Sequence, residues 1–155
     1  MKQRVFILCG LPGSGKSTWA KTMVKNNSNI AVVNKDAIRF MLGGGNYVFN
    51  DSLEMAVKYI AIHCLVQMIV FGYNVIIDET NLTRAKRKSW INHIINTEID
   101  CNIDIVWFRE TEKNLDNRMQ DPRGYSREKW EEVISNMKKI FEPPDDREGV
   151  PIKII

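Results

Sequence analysis

Metal-ligand spacing, disulfide pairing, long apolar runs and strong charge are all missing from this chain. Only two histidines and three cysteines occur in 155 residues. His63 and His93 have no second ligand at suitable spacing, so a structural metal is not expected. Cys9, Cys64 and Cys101 are odd in number, far apart and set among apolar neighbours, which predicts buried free thiols in a reducing compartment. The stretch around Ala61–Phe71 is interrupted by His63 and Gln67 and is too short to span a bilayer, so no membrane partner is expected. The amino terminus has no charged region leading through an apolar stretch to a small-residue cleavage site, so a cytoplasmic protein is expected. The net charge of +3 is compatible with an anionic substrate and falls short of a nucleic-acid footprint by itself. No repeat, low-complexity segment or linker divides the chain, so 1–155 is expected to form one domain around one core.

Strand-like and helix-like segments alternate throughout. Val5–Cys9 is a continuous apolar run ending at glycine, as a strand buried on both faces reads. Further strands are predicted at Ile30–Asn34, Asn74–Ile77 and Ile103–Phe108, with a last edge strand at Ile152–Ile154. Helices are predicted over Lys16–Lys25, Lys35–Leu42, Thr83–Asn96, Thr111–Met119 and Ser126–Phe141. A longer one runs to Val70, capped by Asp51 or Ser52, with Leu53, Val57, Ile60, Cys64 and Ile69 toward the core. Gly43-Gly44-Gly45 marks a flexible loop and Pro143-Pro144 a break. This alternation predicts an α/β fold: a single parallel sheet of four to five strands with helices on both faces. Ligands of such sheets sit at the carboxyl ends of the strands, here after Cys9, Asn34, Ile77 and Phe108.

The segment after the first strand, Gly10-Leu11-Pro12-Gly13-Ser14-Gly15-Lys16-Ser17, fits G-x-x-x-x-G-K-[ST] without mismatch, and Thr18 follows. Gly10, Gly13 and Gly15 let backbone N–H groups, with Ser14 and Thr18 beside them, turn inward around phosphates at a helix start. Lys16 then neutralises the β- and γ-phosphates and the Ser17 hydroxyl holds Mg²⁺, which predicts ATP binding in a P-loop NTPase fold. Asp36, past the second strand, shares a helix face with Arg39. It reads either as the base that takes the proton of an attacking hydroxyl, with Arg39 gripping an anionic group, or as a helix cap paired locally with Arg39. Asp78 closes the third strand, as the carboxylate that supports Mg²⁺ does in P-loop enzymes, with Glu79 as the fallback. Arg118 and Arg123 flank a polar segment suited to a helical lid over the nucleotide, and Pro122 and Gly124 single out Arg123. The basic run Arg84, Lys86, Arg87, Lys88 reads as a solvated helix face, and Trp19, Trp90, Trp107 and Trp130 as packing residues, not a stacking platform.

In this order, Gly10–Thr18 with Trp19-Ala20, Asn34-Lys35-Asp36-x-x-Arg39, Asp78-Glu79-Thr80-Asn81-Leu82 and Arg118 through Gly124 resemble the phage-type polynucleotide 5′-hydroxyl kinases. The resemblance runs to about Phe141. It implies ATP and Mg²⁺ as cofactors and a nucleic-acid 5′ end, DNA or RNA, as acceptor. It further implies Asp36 as general base, Arg39 on the acceptor's nearest phosphate, and Lys35 and Thr80 along the acceptor side. Arg123 is implied on the transferred phosphate, with Arg118 beside it. Many such kinases are fused to a phosphatase domain carrying Asp-x-Asp; none follows here, so a stand-alone kinase is expected. Two other readings stay open: a kinase of the same fold acting on a nucleoside or other metabolite, and a nucleotide-binding module without phosphotransfer.

Overall fold

The computed structural model describes residues 2–155. Five strands, β1 (Arg4–Cys9), β2 (Ile30–Val33), β3 (Asn74–Ile77), β4 (Asn102–Trp107) and β5 (Ile152–Ile154), form one parallel sheet in the order β2-β3-β1-β4-β5. The helices are α1 (Lys16–Asn26), α2 (Lys35–Leu42), α3 (Asp51–Val70), α4 (Arg84–Ile95), α5 (Asn114–Arg118) and α6 (Arg127–Lys139), with a 3₁₀ turn at Asp146–Glu148. This is the parallel α/β sheet that the alternation predicted, in the P-loop kinase-like form that the phosphate-loop motif predicted.

Period two along β1 explains the two layers of core. Val5, Ile7 and Cys9 join Val57, Ala61, Leu65, Ile69, Trp90 and Ile94 on the side of α3 and α4. Phe6 and Leu8 point the other way, to Ala20 of α1, Ile76, Val106 and Phe108. Because β1 is central and buried on both faces, its carboxyl end is fixed from all sides, and the loop at residues 10–15 starts from a rigid strand.

Several boundaries differ from the sequence expectation for local reasons. The cap of α3 is Asn50, whose side chain accepts the Leu53 amide at 2.9 Å, not Asp51 or Ser52. The buried stripe of α3 is Val57, Ala61, Leu65 and Ile69, four residues apart, and this turns Cys64 to the exposed face. Cys101 is half-buried, so of the three thiols only Cys9 is in the core, where burial raises it to about 11. α3 is long and apolar enough to cross a membrane by length and composition, although its stripe packs on the sheet. α5 starts at Asn114, not Thr111, because Asn114 folds back to accept from the Thr111 amide and hydroxyl. The basic run is not simply a solvated face. Arg87 is fully buried against Glu148, and Arg84 reaches Asp145 at 2.6 Å.

Candidate active site

The carboxyl ends of β1, β2 and β3 open into one cleft of about 970 Å³. It is lined at one end by Lys16 and Ser17, in the middle by Asp36, Arg39, Asp78, Glu79 and Thr80, and beyond them by α3 and α4. The phosphate loop is tied down from both flanks. Gly10 N donates to Thr80 O at 3.0 Å. From α5, Asn114 donates to Pro12 O at 3.2 Å and Asn117 to Gly13 O at 2.7 Å. Gly13 has φ +79°, and a Cβ there would lie 2.0 Å from Asn114 O, so this close approach of α5 requires glycine. Gly15 is the left-handed cap from which α1 starts. Thr18 is exposed on the first turn of α1, next to Ser17, which lines the cleft.

Lys16 is 7 % exposed and its ammonium donates to Gly10 O at 2.9 Å, Leu11 O at 2.7 Å and Ser14 Oγ at 3.2 Å. Burial lowers it to about 8, against the pull of Asp78. A lysine lowered in the fold binds its proton more weakly than in the unfolded chain. The cost to stability is therefore full below pH 8 and is relieved as pH rises toward 10.5. A phosphate anion restores the proton. We expect triphosphate binding at pH 8 to take up about half a proton. Calorimetry in buffers of differing ionisation enthalpy reads this uptake; none at pH 8 would mean that Lys16 is already fully charged.

Asp36 and Arg39 share a face of α2, and their groups meet at 2.7 Å. Asp36 is not the helix cap, because Asn34 fills that place by accepting the Ala37 amide at 2.8 Å. The remaining edge of Arg39 is held by Glu54 of α3, at 2.7 Å through Nε and 2.6 Å through Nη2, and these bonds push Arg39 up. Tyr47, on the loop after the triple glycine, donates its hydroxyl to the same Asp36 oxygen at 3.0 Å. Arg123 lies 3.5 Å from the other. Burial works against the Arg123 charge, but its hydrogen bonds to Asp121 and the nearby Asp36 outweigh burial and push it up. Arg118 meets the same Asp121 at 2.7 Å and is lowered by burial, with its Nε unpartnered.

Asp78 is 7 % exposed, and its Oδ2 accepts from the Asn34 amide at 3.1 Å. It lines the same cleft as the Ser17 hydroxyl. Two hard oxygen donors at the foot of a phosphate loop suit a magnesium ion, which keeps most of its shell as water and substrate oxygens. Glu79 turns instead toward Lys35, at 3.3 Å, and burial pushes its carboxyl up. Lys35 lies 5.0 Å from the Trp90 ring centroid. Thr80 lines the cleft beside Glu79 and gives its carbonyl to the phosphate loop.

Four residues here have partners that the sequence does not show. Tyr47 and Glu54 reach Asp36 and Arg39 only through the turn between α2 and α3. Asn81, in left-handed conformation at φ 42°, donates to Leu8 O at 2.7 Å and accepts from the Trp90 indole at 3.1 Å, joining β1 to α4. Trp130 is buried as a packing residue, at 1 % exposed, and does more besides. Its ring carries the Arg123 guanidinium at 4.8 Å and that of Arg118 at 5.3 Å. Trp19, between Phe6 and Phe108, is a packing residue as expected.

Residues 5–144 match a family model described as an AAA domain. The chain is similar to the L-seryl-tRNA(Sec) kinase of Methanococcus maripaludis, 26% identical over an alignment 149 residues long that covers 90% of this chain and 53% of that protein. In structure it resembles a chain of the Pnkp1/Rnl/Hen1 RNA repair complex (TM-score 0.72, 23% identity, 90% of this chain and 45% of that one). It also resembles a gluconokinase from Sinorhizobium meliloti 1021 (TM-score 0.56, 14% identity, 97% and 81%). The chain thus spans about half the length of the curated relative and of the repair-complex chain.

Proposed function

The chain belongs to the AAA domain family and is built as a P-loop kinase; from that premise we propose that it transfers the γ-phosphate of ATP to the 5′-hydroxyl end of a DNA or RNA strand. One observation carries the reading. Lys16 and Ser17 of the phosphate loop open into the same cleft as the Asp36 carboxylate, and Arg123 spans toward Asp36 from the segment after α5. In this proposal Ser17 and Asp78 hold Mg²⁺, and the metal supplies charge neutralisation on the transferring group. Lys16, with Gly10, Gly13, Ser14, Gly15 and Thr18 around it, binds the ATP phosphates. Residues 119–126 and α6 form the lid, which brings Arg118 and Arg123 onto the nucleotide. Asp36 takes the proton of the attacking hydroxyl once Arg123 leaves it for the phosphoryl oxygens. Lys35, Arg39 and Thr80 line the acceptor side.

A polynucleotide acceptor is supported by the reach of the cleft. Past Asp36 it runs on between α3 and α4, where Lys58 and Lys86 face it, and its volume is at the upper end for a single small ligand. The names of the tRNA kinase and of the RNA repair complex point the same way. A second reading, a metabolite kinase, has one observation in its favour. Glu54 already occupies the Nε–Nη2 edge of Arg39, so an acceptor phosphate there has to displace or share that guanidinium.

The deciding experiment supplies labelled ATP and Mg²⁺ with 5′-hydroxyl DNA and RNA oligonucleotides, seryl-tRNA and gluconate side by side. Label on an oligonucleotide 5′ end supports the proposal. Label on seryl-tRNA or gluconate alone replaces the acceptor. Binding of ATP with no transfer to any of them sinks the oligonucleotide reading and moves the search to other small-molecule acceptors.

A further inference from the structure

Arg123 is held by more than its ion pairs. Its guanidinium carbon lies 4.8 Å from the Trp130 ring centroid, 5.8 Å from Tyr125 and 5.1 Å from Tyr47. Trp130 and Tyr125 belong to the same segment as Arg123, and their rings pack on one another at 5.2 Å. Tyr47 does not. It comes from the opposite wall, in the loop between α2 and α3, where its ring also packs on Phe40 at 5.3 Å and its hydroxyl is anchored on Asp36 at 3.0 Å. An arginine whose flat face meets aromatic rings gains attraction that an ion pair alone does not give, and a cage from two walls joins those walls.

We infer that Tyr47 is a positioning residue: it closes the aromatic cage around Arg123 and so couples the loop beside Asp36 to the lid. The inference deepens the phosphotransferase reading and rests on it for the roles of Asp36 and Arg123. The coupling itself is a physical contact that can be tested without an acceptor. Tyr125 and Trp130 keep Arg123 oriented within the lid, and Tyr47 holds that unit against α2. Sequence separation hides the contact, since Tyr47 and Arg123 are 76 positions apart.

The test is limited trypsin digestion of the full chain, followed by mass spectrometry of cuts at the Arg123–Gly124 and Arg118–Met119 bonds. Cutting at such bonds follows the population in which the segment is open. Tyr47→Leu is expected to speed both cuts by about twofold to thirtyfold, the range set by one arginine–aromatic contact. Tyr47→Phe keeps the ring and loses the anchor, and its rates should fall between wild type and Tyr47→Leu. Cutting after Lys25, remote from the cage, serves as the control for general loosening. The specific readout is non-additivity. In an Arg123→Gln background, Tyr47→Leu should add nothing further at Arg118–Met119, because the residue through which it acts is gone.

Wild-type cutting rates in Tyr47→Leu would overturn the inference, as would an equal rise after Lys25 or full additivity with Arg123→Gln. In transfer assays Tyr47→Leu should lower kcat more than it raises KM for ATP. Failure of wild type to label any acceptor would remove the proposed function and leave the cutting rates to decide on Tyr47 by themselves.

Discussion

Asp36→Asn is expected to lower phosphoryl transfer by about 10²- to 10⁴-fold, the usual contribution of a positioned general base, with ATP binding retained. The substitution keeps the size of the side chain and an oxygen that can accept from Tyr47, so the loop after α2 should stay in place. It removes the negative charge that draws Arg39 and Arg123 together and the basic oxygen that receives a proton. Transfer of labelled γ-phosphate and equilibrium binding of a non-hydrolysable ATP analogue measure the two properties separately. Loss of both would make Asp36 a structural ion-pair partner for the arginines. Retention of both would move the search for the base to Glu79, which also lines the cleft and whose carboxyl burial pushes up.

The second large effect lies away from the cleft. Arg87→Met is expected to cost about 3–5 kcal/mol of stability, the range for breaking a buried ion pair from one side. Arg87 and Glu148 are both fully buried, joined at 2.9 Å and 2.5 Å through Nε and Nη2. The remaining Arg87 nitrogen donates to Asn81 O at 2.9 Å. Removing the arginine leaves Glu148, one of whose oxygens is already unpartnered, as a buried acid whose remaining cation is the more distant Arg84 Nε at 3.8 Å. The double substitution Arg87→Met with Glu148→Met should recover most of the loss, because apolar groups of similar volume replace the pair. Urea unfolding followed by circular dichroism gives both numbers. A loss below about 1 kcal/mol for the single variant would mean that water reaches the site and shares the charge.

What was legible in the sequence follows from the range over which each interaction acts. The phosphate loop, the strands and most helices are set by neighbours within about four residues, and patterns at that range are visible in a chain read alone. The order Asp36-x-x-Arg39 was visible for the same reason, and α2 brings the pair together. The partners of that pair were hidden. Glu54 and Tyr47 are brought in by a turn whose path depends on the packing of α3, and Arg123 arrives from the segment between α5 and α6. Arg87 was misread because nothing near it in sequence betrays Glu148, 61 residues on. Cys64 was misread because helical spacing fixes a face only once the stripe that meets the sheet is known. The balance between burial and pairing of charge is settled by tertiary contacts, so it is the last property that a pattern of residue types reveals.

The two asparagines of α5 that hold the phosphate loop, Asn114 on Pro12 and Asn117 on Gly13, have a thermodynamic consequence. A nucleotide settling on residues 10–17 presses on the same backbone that anchors the helix leading into Arg118 and Arg123. Occupancy of one end of the cleft therefore biases the posture of the segment that reaches over the other. Linkage of this kind runs equally in both directions: whatever factor ATP applies to acceptor affinity, the acceptor applies to ATP. Ordered addition of substrates would then be a matter of rates alone, since the equilibrium is the same whichever arrives first.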